Sequence, residues 1–344
     1  MSFRIRLVRS RPVKLLGNIA MKCWAFSGAY VLACFLLYWL YGGVFAFFLL
    51  CFATTVVAGI LYHTEDQLLY HPEAPANSRV YVPAPSMYRL PYQSVYTRSG
   101  DGTTLHMFFI SQPPDKANKV PTLLFFHGNA GNMGHRLQNI VGLYHSIQCN
   151  ILMLEYRGFG LSQGAPSEEG LYMDARAGLD YLNSRTDINT NEIIVFGRSL
   201  GGAVAIDLAT KPEYSQRIWC LILENTFTSI PDMAALLIGS KLLQYLPLFV
   251  YKNKYMSLLK IRSVSVPTLF ISGLADTLVP PPMMTELYKR CRSSCKRILP
   301  IPDGTHNETW HQSGYYQNIL SFLNELRENP PARELSSHWD IDHI

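Results

Sequence analysis

The sequence predicts an α/β fold in which a mostly parallel sheet is covered by helices on both faces. Short apolar runs alternate with helix-like segments through most of the chain, and nearly every run is apolar at all of its positions. Such a strand must be buried on both faces, as the strands of parallel sheets are. A chain of 344 residues is long enough to bury this core without disulfide support.

Eight strands are expected in the sheet. The first two form a hairpin around Ser99-Gly100-Asp101-Gly102, since Gly and Asp favour the conformations of tight turns. Each of the other six is a short apolar run bounded by turn residues. The expected strands are Ser94–Arg98, Thr103–Ile110, Thr122–Phe126, Ile151–Glu155, Glu192–Phe196, Trp219–Leu223, Thr268–Ser272 and Arg297–Ile301.

Apolar residues at helical spacing predict the helices between these strands. The expected helices are Met133–Ile147, Glu168–Arg185, Leu200–Lys211, Pro282–Arg290 and Trp310–Leu326. Asp174, in the second of them, is expected to be structural. Residues 226–262 predict a small cap rich in Met, Leu, Ile, Tyr and Phe. An apolar cap suits an acyl chain, and ordinary helix packing would give the same composition.

An apolar tract near the N-terminus predicts a membrane segment at residues 23–62. Its 40 residues carry no Asp, Glu, Lys or Arg, and one helix of that length would be about 60 Å long, roughly twice a hydrocarbon core. The favoured reading is one transmembrane helix with its main span at residues 40–62. The alternative is a hairpin of two spans that divides at Gly42-Gly43. A cleaved signal peptide fits poorly, because the tract is too long and begins too late.

Charges on either side of the tract predict its orientation. Six basic residues precede it within a segment at residues 1–22, whereas Glu65, Asp66 and Glu73 follow it. The positive-inside rule then predicts a single-pass type II protein with a cytosolic N-terminus. Five prolines predict an extended stalk at residues 63–92, the folded domain is expected at residues 93–327, and a tail is expected at residues 328–344.

The charge balance argues against a nucleic-acid surface. Removing the six N-terminal basic residues from the total of 30 leaves 24, against 25 acidic residues, so the body is near neutral. Cys291 and Cys295 have a CxxxC spacing with no accompanying cluster of His or Cys, so no metal site is predicted. No cofactor is predicted either.

The motif with the clearest chemistry is Gly197-Arg198-Ser199-Leu200-Gly201. It follows an expected strand and opens an expected helix, which is the context that a G-x-S-x-G nucleophile requires. The glycines allow a strained serine backbone and close packing around it. Ser199 is therefore the candidate nucleophile. The alternative, a glycine-rich phosphate loop, lacks the lysine of that motif.

A serine hydroxyl needs a general base and an acid that orients the base. His306 follows the last expected strand, at the sheet edge where Ser199 would lie, and is the candidate base. Asp276 follows the strand before it and is the candidate acid, which gives the order Ser, Asp, His. Glu224, after the strand Trp219–Leu223, is the reserve acid.

An oxyanion hole needs two donors that face the developing negative charge. The backbone N–H of Leu200, directly after the nucleophile, is the first candidate. The second is expected from the loop His127-Gly128-Asn129-Ala130-Gly131, which follows a strand. Asn129 is the preferred donor there, and Ala130 is the next choice.

In these motifs the sequence resembles the α/β-hydrolase superfamily, and more narrowly its Bem-type branch. The resemblance covers residues 93–327 and is carried by FFHGNAGNMGHR, YRGFGLSQGAPSEEGLYMDA, GRSLGGAVA, ENTFTSIPDM and PDGTHNETW. It implies an α/β-hydrolase fold, a triad of Ser199, Asp276 and His306, and a single-pass type II membrane protein.

These expectations together point to a membrane-anchored serine hydrolase. It would cleave ester or thioester bonds through an acyl-enzyme, with a membrane lipid or an acylated molecule as substrate. The alternatives are a protein depalmitoylase, acting as an acyl-protein thioesterase, and a catalytically silent scaffold on the same fold. Asn307 begins the N-x-S/T sequon Asn307-Glu308-Thr309, so a luminal domain could be glycosylated beside the base. The sequence predicts no oligomeric state.

Overall fold

The computed structural model describes residues 27–239 and 247–330. The chain divides into two compact units, of which the larger comprises Tyr70–Leu246 and Asn253–Ile344, and the smaller Met1–Leu69 and Pro247–Lys252. The basic segment expected at residues 1–22 and most of the expected tail at residues 328–344 lie outside the described residues.

An eight-stranded sheet forms the centre of the larger unit. The strands are β1 (Tyr92–Arg98), β2 (Thr104–Ile110), β3 (Thr122–Phe126), β4 (Asn150–Leu154), β5 (Ile193–Arg198), β6 (Cys220–Glu224), β7 (Thr268–Gly273) and β8 (Lys296–Ile301). Their spatial order is β1-β2-β4-β3-β5-β6-β7-β8. β2 pairs antiparallel with β1 and β4, and all other neighbours are parallel. The eight expected strands are thus confirmed.

Burial on both faces of the sheet explains the continuous apolar runs. Every residue of β3, β4, β5, β6 and β7 is buried. Successive side chains of a strand point to opposite faces, so the fully buried neighbours Phe125 and Phe126 show that both faces are covered. The mostly parallel α/β architecture is therefore confirmed.

Six helices of at least nine residues accompany the sheet in the described part of the larger unit. They are α1 (Leu137–Ile147), α2 (Glu168–Asn183), α3 (Leu200–Thr210), α4 (Ile230–Ile238), α5 (Pro281–Arg290) and α6 (Tyr315–Glu328). One-turn α-helices lie at Pro114–Ala117, Pro212–Ser215 and Ser257–Lys260, and 3₁₀ turns at Pro85–Tyr88, Met133–Arg136, Ile261–Ser263 and Thr309–His311.

Two expected helices begin later than their apolar pattern indicates. The first begins as the 3₁₀ turn Met133–Arg136 and becomes α-helical only at Leu137. The last begins at Tyr315, because Gly314 has a φ of 83° and so separates the helix from the turn Thr309–His311. α4 was not predicted as a helix. It lies within the expected cap, where Ser229 caps its first turn by accepting a hydrogen bond from the N–H of Asp232.

The smaller unit is largely helical in its described part. Residues 27–41 are helical, Gly42 has a φ of 87°, and a helix of 27 residues follows at Gly43–Leu69. Within the described ranges, no helix meets the requirements of length and apolar character for a bilayer crossing. The transmembrane helix expected at residues 40–62 is therefore not confirmed. The helix at this position runs past the apolar tract to end on His63-Thr64-Glu65-Asp66-Gln67-Leu68-Leu69.

Residues 63–92 do not form the extended stalk that their prolines predict. Residues 63–69 complete the long helix, and the following residues pack onto the sheet unit. Tyr70 and Leu90 are each only 3% exposed. Arg79 donates to the carbonyl of Ser162, and Asn132 donates to the carbonyls of Ser78 and Tyr81. The prolines instead shape turns, such as the 3₁₀ turn that begins at Pro85.

Asp174 has the structural role that was expected of it. Its buried carboxylate accepts hydrogen bonds from the main-chain N–H, Nε and Nη2 of Arg157. The same guanidinium contacts Asp101, which lies in the β1–β2 turn and whose side chain is 37% exposed. Hydrogen bonding to Arg157 holds the pKa of Asp101 below its usual range. One guanidinium therefore joins the hairpin turn to helix α2.

We expect Asp174→Ala to destabilise the larger unit by about 3–5 kcal/mol, because it leaves the buried Arg157 without its main partner. Asp101→Ala removes a partly exposed carboxylate from the same guanidinium and should cost less than about 1 kcal/mol. Chemical unfolding followed by circular dichroism measures both. Equal losses in the two variants would contradict this account of the network.

Candidate active site

Ser199 lies in a strained turn between β5 and α3. Its φ is 55° and its ψ is −119°, a conformation that residues with a side chain rarely adopt and that usually marks a functional constraint. Two glycines make the turn possible. A Cβ on Gly201 would lie 2.1 Å from the carbonyl oxygen of Phe126, and one on Gly197 would lie 2.2 Å from that of Gly201.

The structure brings the three predicted triad residues together. His306 Nε2 lies 3.1 Å from Ser199 Oγ, and His306 Nδ1 lies 2.7 Å from Asp276 Oδ2. An ionised Asp276 can only accept, so Nδ1 carries the proton and Nε2 is the acceptor that faces the serine hydroxyl. The arrangement can take a proton from Ser199 and hold the resulting positive charge beside Asp276.

Asp276 is fixed in this position by its own loop. Its Oδ1 accepts hydrogen bonds from the N–H groups of Leu278 and Val279, both at 2.9 Å. The remaining oxygen, Oδ2, faces the imidazole. The side chain of Asp276 is 1% exposed and that of His306 is 12% exposed. The pair is therefore largely screened from water, while the imidazole keeps an open edge.

Glu224, the reserve acid, has different partners. Its Oε2 accepts a hydrogen bond of 2.6 Å from Tyr315, and its Oε1 lies 3.7 Å from Nε of Arg198. Burial and the neighbouring carboxylate raise the pKa of Tyr315 well above its ordinary value, so the phenol remains a donor. The side chain of Glu224 is thus held by Tyr315 and Arg198, and the acid in contact with His306 is Asp276.

Strand order brings the expected oxyanion loop beside Ser199. β3 and β5 are neighbours in the sheet, with Phe126 opposite Gly197, so the loops after them leave the sheet at the same edge. A Cβ on Gly128 would lie 3.6 Å from Cβ of Ser199. Leu200 begins α3, and N–H groups in a first helical turn have no partner within the helix. The assignment of Leu200 and Asn129, or Ala130, as donors stays a prediction.

Buried polar side chains contact this loop. His127 Nδ1 lies 2.7 Å from the carbonyl oxygen of Gly128, and its Nε2 approaches Glu155 Oε1 to 3.0 Å without hydrogen-bond alignment. Both side chains are fully buried. Arg136 donates to the carbonyl of Ala130. The carbonyl groups of Gly128 and Ala130 are thus among the points that anchor the loop.

Asn307 lies on the surface next to the base. Asn307 is exposed, and its carbonyl oxygen accepts hydrogen bonds from Arg198 and from the indole of Trp310. Glycosylation at this position stays a prediction.

Three groups of polar residues around the triad were not predicted from the sequence. They are Arg198, the pair of His127 and Glu155, and Asn225 with Thr226. Each follows or ends a strand on the side of the sheet where the triad lies. That position was a usable signal, since it already singled out Asp276 and His306, but it does not indicate which polar residues contact one another.

The chain is similar to other proteins along most of their length. The chain is 39% identical over 282 residues to Protein bem46 of Schizosaccharomyces pombe, covering 81% of this chain and 92% of that protein. It is 40% identical over 289 residues to Alpha/beta hydrolase domain-containing protein WAV2 of Arabidopsis thaliana, covering 79% of this chain and 92% of that one. The chain belongs to the Bem-type branch of the α/β-hydrolase superfamily.

Further comparisons agree with a Bem-type hydrolase. Residues 117–265 match the family described as serine aminopeptidase, S33. The Saccharomyces cerevisiae protein named uncharacterized membrane protein YNL320W is 34% identical over 273 residues, which cover 79% of this chain and 93% of that one. The esterase Pf2001 of Pyrococcus furiosus superposes with a TM-score of 0.58 at 21% identity, covering 75% of this chain and 97% of that structure. The last likeness shows the shared fold.

We expect Gly201→Ala to destabilise the Bem-type domain by about 1–3 kcal/mol or more, because its methyl group would overlap the main chain of Phe126. Gly100→Ala is the control. Gly100 has open space around its Cβ position, so this change should stay within about 0.5 kcal/mol. Chemical unfolding compares the two. A Gly201→Ala protein as stable as Gly100→Ala would contradict the packing constraint on the turn.

Proposed function

We propose that this protein is a serine hydrolase that cleaves carboxylic esters or thioesters through an acyl-enzyme. The observation that carries the proposal is the continuous contact from Ser199 Oγ through the imidazole of His306 to Asp276. A strained nucleophile turn and a buried acid support it.

In the first half-reaction, Ser199 Oγ attacks the carbonyl carbon while its proton passes to Nε2 of His306. The tetrahedral intermediate places its negative oxygen toward the N–H groups of Leu200 and of Asn129 or Ala130, which we propose as the oxyanion donors. The imidazolium then gives its proton to the leaving alcohol or thiol. In the second half-reaction, water gives a proton to His306 as it attacks the acyl carbon. The imidazolium then returns this proton to Ser199 Oγ as the bond between Oγ and the acyl carbon breaks, and the carboxylic acid is released.

We propose lipid-like substrates, meaning membrane lipids or acylated molecules. Leu236, Leu237 and Ile238, at the end of α4 within the predicted cap, are 46%, 62% and 59% exposed. Exposed apolar side chains in sequence suit contact with an acyl chain or with lipid. A leaving thiol is accepted by the same chemistry, so an acyl-protein thioesterase is the nearest alternative.

We also propose that the N-terminal segment attaches the protein to a membrane. Large apolar side chains of the helix Gly43–Leu69 are exposed to solvent, among them Val44, Phe45, Phe47, Phe48, Leu50, Phe52, Val56 and Ile60. The name of one relative also refers to a membrane. We retain the type II orientation as part of this proposal, since six basic residues precede the apolar tract.

Substitutions at the triad should separate catalysis from folding. We expect Ser199→Ala to abolish labelling by a fluorophosphonate probe and to lower kcat by a factor on the order of 10⁴ or more. Asp276→Asn should cost on the order of 10⁴, because the imidazole then presents the wrong tautomer to the serine. The measurement is hydrolysis of a soluble p-nitrophenyl ester by the full-length protein in detergent.

Glu224→Gln is the matched control for Asp276→Asn, since both remove the charge of a buried carboxylate. We expect a much smaller loss from Glu224→Gln, and an equal loss would transfer the role of the orienting acid to Glu224. A wild-type protein that neither labels nor hydrolyses any ester, lysophospholipid or acyl-thioester in a panel would favour the silent scaffold.

A glycosylation reporter in the tail tests the proposed orientation. We expect an N-x-S/T sequon introduced near Ser336 within a flexible insertion to be modified in cells, because a type II topology exposes the tail to the luminal transferase. The readout is a shift in electrophoretic mobility that glycosidase reverses. An unmodified tail, together with protease access from the cytosolic side, would refute the type II orientation.

A further inference from the structure

Asn225 is a buried residue with an unusual backbone conformation at the end of β6. It is 1% exposed and has a φ of 47°. Asparagine adopts this left-handed region more readily than most residues, because its short side chain can bond locally. Its neighbour Glu224 is the reserve acid, and the proposed chemistry gives Asn225 no task.

The side-chain amide of Asn225 bonds to two of the loops that carry the triad. Its Oδ1 accepts from the N–H of Gly273, the last residue of β7, at 2.8 Å. Its Nδ2 donates to Oγ1 of Thr309 at 2.8 Å and to the carbonyl of Thr305 at 3.1 Å, and lies 3.3 Å from the carbonyl of His306. Thr309 Oγ1 in turn donates to Thr305, which closes the network.

The two bonded segments are those that set the distance between Asp276 and His306. Gly273 lies three residues before Asp276, and its carbonyl accepts from the N–H of Asp276. The loop before His306 contacts the loop before Asp276 directly, since the N–H of Ala275 donates to the carbonyl of Gly304. One buried amide therefore spans both loops behind the hydrogen bond between acid and base.

The residues on either side of Asn225 hold the nucleophile. The N–H of Ser199 donates to the carbonyl of Glu224 at 2.9 Å, and Thr226 Oγ1 donates to the carbonyl of Ser199 at 2.7 Å. The three consecutive residues at positions 224–226 thus contact the main chain of all three triad loops. The triad loops are brought to this point by the order of β5, β6, β7 and β8 in the sheet.

We infer that Asn225 is a positioning residue for the reaction, which fixes the imidazole of His306 between Asp276 and Ser199 through the main chain of both loops. The inference rests on the proposed hydrolase function. A displacement of about 1 Å in a catalytic group can cost a factor on the order of 10² in rate, so the network should be visible in kcat.

The variant Asn225→Asp tests this role with little change in shape. Aspartate tolerates the same φ and can still accept from Gly273, but an oxygen replaces Nδ2 and faces the carbonyls of Thr305 and His306. We expect kcat for a soluble p-nitrophenyl ester to fall on the order of 10² with KM little changed, since the interaction acts on the reacting groups more than on substrate binding. Thr309→Val, which removes only the hydroxyl from the network, should give a smaller loss of kcat in the same direction.

Asn150→Asp is a matched control. Asn150 is fully buried, accepts from the N–H of Gln112, and donates to the carbonyl of Ala117 and to Thr122 Oγ1. Its bonding pattern therefore repeats that of Asn225. It begins β4 and so lies at the amino end of the parallel strands, away from the triad loops. Both substitutions should lower the free energy of unfolding. Only Asn225→Asp should have a kcat below that of the wild type.

A second readout does not depend on turnover. The proton between His306 Nδ1 and Asp276 should give a downfield resonance in the proton NMR spectrum, which Asp276→Asn removes and so assigns. We expect this resonance to be lost or shifted in Asn225→Asp and retained in Asn150→Asp. A folded Asn225→Asp or Thr309→Val protein with wild-type kcat and an unchanged resonance would overturn the inference. If the wild type has no activity but Asn225→Asp still changes the resonance, only the proposed function is refuted.

Discussion

The backbone of Ser199 is the constraint on which the rest of the site depends. Its positive φ turns the chain from β5 into α3 within one residue. Main-chain atoms around Gly197 and Gly201 leave no space for a side chain at either position. The main chain of Ser199 is bonded on both sides, to Glu224 and to Thr226. The strained backbone of Ser199 is thus held by contacts from the end of β6 and from the residues that follow it.

Parallel strand order turns this local strain into a site. β3, β5, β6, β7 and β8 lie side by side, so the five loops after them leave the sheet at one edge. The loop after β3 lies against Ser199, those after β7 and β8 carry Asp276 and His306, and the residues after β6 join them. Buried polar groups with satisfied hydrogen bonds then fix the loops relative to one another.

The sheet and the triad could be predicted because each leaves a local pattern in the sequence. A continuous apolar run marks a buried strand, and Ser199, Asp276 and His306 each follow such a run in the expected order. Asn225 could not be predicted in this way, because its partners at residues 305–309 are about 80 positions away and its αL backbone has no periodic signature. The prolines of residues 63–92 led to the prediction of an extended stalk. Prolines indicate turns, but they do not indicate whether those turns pack against a domain.

The position of His306 in the chain has a consequence for synthesis. Residues 128–226 leave the ribosome before strand β8 and His306 do. Domains begin to fold from the N-terminal side while the ribosome is still at work. Under the proposed mechanism, a partly made chain therefore contains Ser199 before it contains the imidazole that would activate it. Under that mechanism, the hydroxyl of Ser199 remains an ordinary alcohol until β8 and His306 have left the ribosome.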